Sequence, residues 1–126
     1  MSDYERIPVE VWPLAYFLAE EMDARGWTAV DVAARMGGTS EQEVFRNAVI
    51  VDLILAVQKD GCLIGDKTFN QLSRAFGVSA QYFRNLDVMW RKWPDRRVQF
   101  TVPEHLLAAG TFYEITQSAN KAIPDD

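Results

Sequence analysis

Arg91, Lys92, Arg96 and Arg97 put four cations within a seven-residue span, interleaved with Trp90, Trp93 and Pro94. Guanidinium groups pair with phosphates and indoles stack on bases, so this pattern suits a nucleic acid. It equally suits a helix C-terminus, where cations favour the dipole and the tryptophans turn into a core. A third use is pairing with an acidic surface of a neighbouring subunit. Catalysis has less to work with. His105 is the only histidine and Cys62 the only cysteine, and neither has the adjacent Asp, Glu or His that a metal site or nucleophilic dyad needs. Cys62, beside Leu63 and Ile64, reads as a small buried hydrophobe. The carboxylate pairs Glu20-Glu21 and Asp125-Asp126 are sequence neighbours, so a helix would point each pair apart. There is no glycine-rich phosphate loop. The expectation is a protein that is not an enzyme and carries no metal and no cofactor.

Composition sets the frame for these residues. The chain has 126 residues, 48% hydrophobic and 25% charged, which suits one core and is short for two. Its formal net charge of -5 opposes non-specific attraction to phosphate backbones, although a local basic patch remains compatible with it. A lone cysteine precludes an internal disulfide and fits a reducing compartment. No apolar run reaches bilayer length and no signal-like N-terminus is visible, so the expected location is cytoplasmic, with no membrane contact.

The elements that position these residues are marked by their ends. Pro13 suits a first helical position, Leu14, Phe17, Leu18 and Met22 share a face, and Gly26 suits a left-handed stop, which predicts a helix from Pro13 to Arg25. Thr28 with Asp31 forms a capping box, Trp27 and Val32 a staple, and a short second helix ends at Gly37-Gly38. Ser40 with Glu43 opens a third helix that no glycine or proline interrupts until Gly61. From Ala48 to Val57 it is apolar on nearly every face, so it should be surrounded by protein. The β-branched run Val49 to Val51 also suits a strand, but the capped flanks and the length favour helix. Asp66 caps a fourth helix carrying Phe69, Leu72, Ala75 and Phe76. Val78 and Ser79 open a fifth, which carries Phe83, Leu86, Met89, Trp90 and Trp93 and stops at Pro94. Val98 to Val102 alternates like a short strand, Pro103 begins a turn or two of helix through Ala109, and the tail from about 119 should fray.

The strings Phe17-Leu18-Ala19-Glu20-Glu21-Met22-Asp23-Ala24-Arg25-Gly26-Trp27-Thr28 and Val32-Ala33-Ala34-Arg35-Met36-Gly37 resemble the opening of Xre/Cro-type helix-turn-helix proteins, particularly the HigA-like antitoxin branch. Leu72 to Ser79 and Tyr82-Phe83-Arg84-Asn85-Leu86-Asp87 resemble that branch's fourth helix and its aromatic-Asn-Leu ending. The resemblance covers roughly Trp12 to Trp93. It implies an all-α, five-helix lambda-repressor-like helix-turn-helix domain over residues 1–95. Residues 96–126 would form a C-terminal extension, a strand plus a short helix, packing on the same domain. It also implies a transcriptional regulator or antitoxin-like repressor that binds duplex DNA as a homodimer, with a toxin as a candidate protein partner.

Two departures qualify that implication. Family members often hold a DNA phosphate with Gln at the start of helix two, where this chain has Ala29. The interval from Gly37 to Asp66 is also roughly three helical turns longer than the family's. Its charges are Arg46 and Lys59 against Glu41, Glu43, Asp52 and Asp60. Thr39, Ser40, Gln42, Arg46 and Asn47 are of types that read base edges or hold phosphates, alongside Arg91, Lys92, Arg96 and Arg97. The plain alternative for the former set is a solvated first turn. Val49, Ile50, Leu53, Ile54 and Val57 form either a single-chain core or an interface with a partner. Two functions follow: a dimeric DNA-binding regulator, or a protein-interaction module that keeps the fold and no longer reads DNA.

Overall fold

The computed structural model describes residues 7–57 and 64–108, and within them five α-helices and two short 3-10 turns, with no strand. The all-α, five-helix expectation is met. Helix α1 spans Leu14–Arg25 and buries Leu14, Leu18 and Met22 on one face. Pro13 stands just before it, in extended backbone, rather than at its first position. Gly26 stops it at φ 70°, and the Trp27 N–H reaches back to the Met22 carbonyl at 2.9 Å, the bonding that a left-handed cap provides.

Helix α2 spans Ala29–Ala34, its start fixed by the Thr28 N–H donating to the Asp31 carboxylate at 2.8 Å. Ala29, Val32 and Ala33 have no exposed surface, because this helix lies flat against α3. Small side chains let the two axes approach, and Gly37, at φ 103°, turns the chain between them.

Helix α3 spans Glu41–Val57. The expectation of a helix enveloped on all sides is corrected here. Ala48, Val51, Ile54 and Leu55 face the core, while Phe45 and Leu53 on the opposite side are 43% and 40% exposed. A small domain wraps only one face of a 17-residue helix. Each fully buried Leu or Met contributes roughly 1.5–3 kcal/mol by leaving water, and Leu18, Met22, Met36, Leu55 and Leu72 make this the centre of the core.

Helix α4 spans Asp66–Phe76 and α5 spans Ala80–Lys92, and the two pack as a pair. Asp66 is the first helical residue and Gly65 the cap, a one-residue shift from the expected start. Ser79 caps α5 by accepting the Tyr82 N–H at 3.1 Å.

The expected strand at 98–102 does not form. Instead a single parallel bridge joins Arg97 to Val11: the Val11 N–H donates to the Arg96 carbonyl at 2.8 Å and the Val98 N–H to the Val11 carbonyl at 2.9 Å. Without a further neighbouring strand the alternation of Val98, Phe100 and Val102 serves packing only. Phe100 meets Tyr16 edge-on, and Val102, Leu106 and Ala108 enter the main core. A 3-10 turn at Glu104–Leu106 replaces the expected short helix. The Ala108 N–H then donates to Asp52 of α3 at 2.8 Å, tying this extension to the domain. The Val57 side chain, Cys62, and the tail from about 119 lie outside the described residues.

Candidate nucleic-acid interface

The first turn of α3 is held by its own side chains. One Glu43 carboxylate oxygen accepts the Thr39 N–H at 2.7 Å, the Thr39 hydroxyl at 3.0 Å and the Ser40 N–H at 3.2 Å, while the Ser40 hydroxyl accepts the Glu43 N–H at 3.1 Å. The Thr39 backbone bond, then its hydroxyl and the Ser40 backbone, hold the Glu43 carboxyl below its ordinary range. Thr39 and Ser40 are therefore engaged in capping. Glu43 is a structural anion rather than a free one. Asp52 also has a structural task, its carboxylate accepting from Ala108. Burial pushes its pKa up, with the Ala108 bond acting the other way.

Of the remaining residues proposed in this segment, Gln42 and Arg46 are exposed, whereas Asn47 is 5% exposed and turned inward. Arg46 and Asn47 line the same cleft, a hollow of about 640 Å³ between the Gly37-Gly38 turn, α3 and α4. Helix α4 brings Lys67 and Arg74 into it, with Asn70 and Gln71 between them. Sequence reasoning passed over these two cations. Their signal was present: Lys67, Asn70, Gln71 and Arg74 recur at i, i+3, i+4 and i+7, a polar stripe on one face of an amphipathic helix. Gly37 makes the meeting possible, since a Cβ there would stand 2.5 Å from Arg74 Nη1. Among the described residues, no carboxylate pairs with Arg46, Lys67 or Arg74.

The C-terminal cations are placed differently. Arg97 lies over the Trp90 ring at 4.6 Å and its Nε donates to the Trp90 carbonyl at 2.9 Å. Arg91 pairs with Asp87 at 3.2 Å and Lys92 stands 5.8 Å from the Trp93 ring centroid. Trp90 is buried and so offers no ring face to a base, while Trp93 is half-buried. Arg96 is exposed and contributes its carbonyl to the Val11 bridge. This cluster fastens the end of α5 to the start of the extension.

The proposed interface residues also divide. Ile54 is buried in the chain's own core, which removes it from any interface, and Ile50 packs partly against that core. Leu53 is exposed and Val49 half-exposed, and with Phe45 they form an i, i+4, i+8 row along the outside of α3. Ala29 is fully buried, so the start of α2 offers no side chain to a phosphate. Among the described residues no three His, Cys, Asp or Glu side chains gather as metal ligands, and His105 instead meets Asp23 at 3.2 Å. No helix among them is long and apolar enough to cross a membrane. No protein-family model, curated protein or solved structure matches the chain.

Proposed function

We propose that the protein is a DNA-binding transcriptional regulator that docks the α2-turn-α3 unit and the start of α4 against duplex DNA. One observation carries this reading: Arg46, Lys67 and Arg74 converge on one side of that unit with no paired carboxylate among the described residues, in a chain whose net charge is -5. A local field of this kind attracts phosphates against the global balance. Glu43 keeps its charge while bonded to the Thr39 and Ser40 N–H groups, and the cleft still carries three cations, Arg46, Lys67 and Arg74, against that one anion. Gln42 and Arg46 are the exposed groups that would meet base edges or phosphates; Asn70 and Gln71 stand beside the phosphate-facing cations.

The regulator acts as a dimer in this proposal, with the C-terminal half of α3 (Val49 and Leu53) meeting the partner subunit. The exposed row Phe45, Val49 and Leu53 also favours a second reading, a module that holds a protein such as a toxin on the outside of α3. A duplex-binding titration across a salt series separates the two. The regulator is expected to show log K falling with log salt at a slope of about -0.9 per phosphate neutralised, and to lose affinity in Arg46→Glu. Absence of binding to upstream or random duplex at low salt would leave the interaction module standing.

A further inference from the structure

The cleft between α3 and α4 is lined by buried polar residues as well as by exposed cations. Asn47 lines it at 5% exposure and Thr68 at 9%, and among the described residues nothing hydrogen-bonds either side chain. The amide and the hydroxyl open to the hollow rather than being sealed from water, so both are available to a molecule held there. The hollow of about 640 Å³ is in the range of small-molecule sites. Its walls carry Arg46, Lys67 and Arg74 against Glu43 alone, whose carboxylate is already engaged by Thr39 and Ser40. Met36 and Ile50 add apolar surface.

We infer that this cleft is a binding site for a small organophosphate. The surplus of two positive charges matches a phosphomonoester dianion. Arg46 and Arg74 present guanidinium forks, which suit phosphate oxygens, and Lys67 adds a point charge. The volume exceeds what a bare phosphate fills, so Met36 and Ile50 would receive the organic part while Asn47 and Thr68 supply its polar contacts. Gly37 belongs to the site as well: at φ 103° and without a Cβ, it leaves the space that Arg74 occupies. The inference shares Arg46, Lys67 and Arg74 with the DNA reading and differs from it in calling on Asn47, Thr68, Met36 and Ile50, so it is tested on small molecules in the absence of DNA.

Calorimetric titration of the full chain, without DNA, tests this with adenosine 5′-monophosphate, inorganic phosphate and adenosine as probes. The nucleotide is expected to bind with Kd below about 1 mM, at least tenfold tighter than phosphate, while adenosine gives no saturable heat. Asn47→Leu should weaken nucleotide binding about tenfold or more without lowering Tm, because among the described residues the amide makes no hydrogen bond that the change would remove. If that variant fails to fold, Arg74→Gln on the more exposed wall serves instead, with the same loss expected. No response to nucleotide or phosphate up to about 10 mM would overturn the inference. Nucleotide binding unchanged in Arg74→Gln would do so too, as would duplex binding by a protein that ignores both small probes.

Discussion

Two regions of this chain carry clustered cations. At the end of α5, Arg91, Arg97 and Lys92 are adjacent in sequence and committed in space to Asp87, the Trp90 carbonyl and ring, and the Trp93 ring. In the α3–α4 cleft, Arg46, Lys67 and Arg74 are scattered in sequence and gathered in space, with no carboxylate partner among the described residues. The denser cluster in sequence is therefore the less available one. Charge becomes a binding surface when packing leaves it unpaired, and a run of cations beside tryptophans is readily consumed by the helix end that carries it.

The strongest test of this contrast is paired charge removal. Arg46→Gln with Arg74→Gln is expected to lower duplex affinity by about two orders of magnitude and to flatten the salt slope by about two, since each phosphate contact contributes near one unit. Arg91→Gln with Arg96→Gln should change affinity less than about threefold. Equal losses from the two pairs, in fluorescence anisotropy at matched salt, would erase the distinction.

Gly37 and Gly77 sharpen it further. Both have positive φ, at 103° and 73°, so alanine strains the backbone at either position, by about 1–3 kcal/mol. Only at Gly37 would the new Cβ also displace Arg74, for the space around Gly77 is open within 4 Å. Both variants should lose stability in urea unfolding, whereas Gly37→Ala alone should lose duplex affinity.

Which parts of this were legible follows from how local they are. The caps at Thr28–Asp31, Ser40–Glu43 and Ser79 were readable because each is closed within four residues. The phase of α3 was not, since a run apolar on every side cannot say that Ile54 turns inward and Leu53 outward. The path of the extension depends on Val11, far away in sequence, so the alternation of residues 98–102 misled toward a strand. The cleft joins Arg46 to Lys67 and Arg74 through the packing of α2, α3 and α4, and only the i, i+7 stripe on α4 hinted at it.

On the committed side, Arg97→Ala removes a bond to the Trp90 carbonyl and a cation over its ring, a loss expected to cost about 1–2 kcal/mol in chemical denaturation. Arg96→Ala, exposed and acting through its backbone, should stay within about 0.5 kcal/mol. Neither should alter duplex binding. A destabilised Arg96→Ala beside an unaffected Arg97→Ala would reverse the assignment of roles in this cluster.

The smallest effects concern Asp52 and Glu43 of α3, which respond to acid in opposite directions. Burial raises the Asp52 pKa, so the folded protein holds that proton more readily than the unfolded chain does. Its contribution is full below the unfolded value and is lost as pH rises through the folded one. Glu43 is depressed by the Thr39 and Ser40 donors, so its contribution is present above the unfolded value and is lost as pH falls through the folded one. Asp52→Asn keeps an oxygen to accept the Ala108 N–H and removes the ionisation. This variant should equal or exceed the parent in stability at neutral pH, by about 1 kcal/mol or less, with the advantage shrinking toward the ordinary aspartate range. Glu43→Gln should instead be the less stable chain at neutral pH and should converge on the parent in acid. Thermal melts of both variants between about pH 3 and 7 decide the matter, because an advantage of Asp52→Asn that grew on acidification would mean that Asp52 is held by its bond rather than disfavoured by its burial.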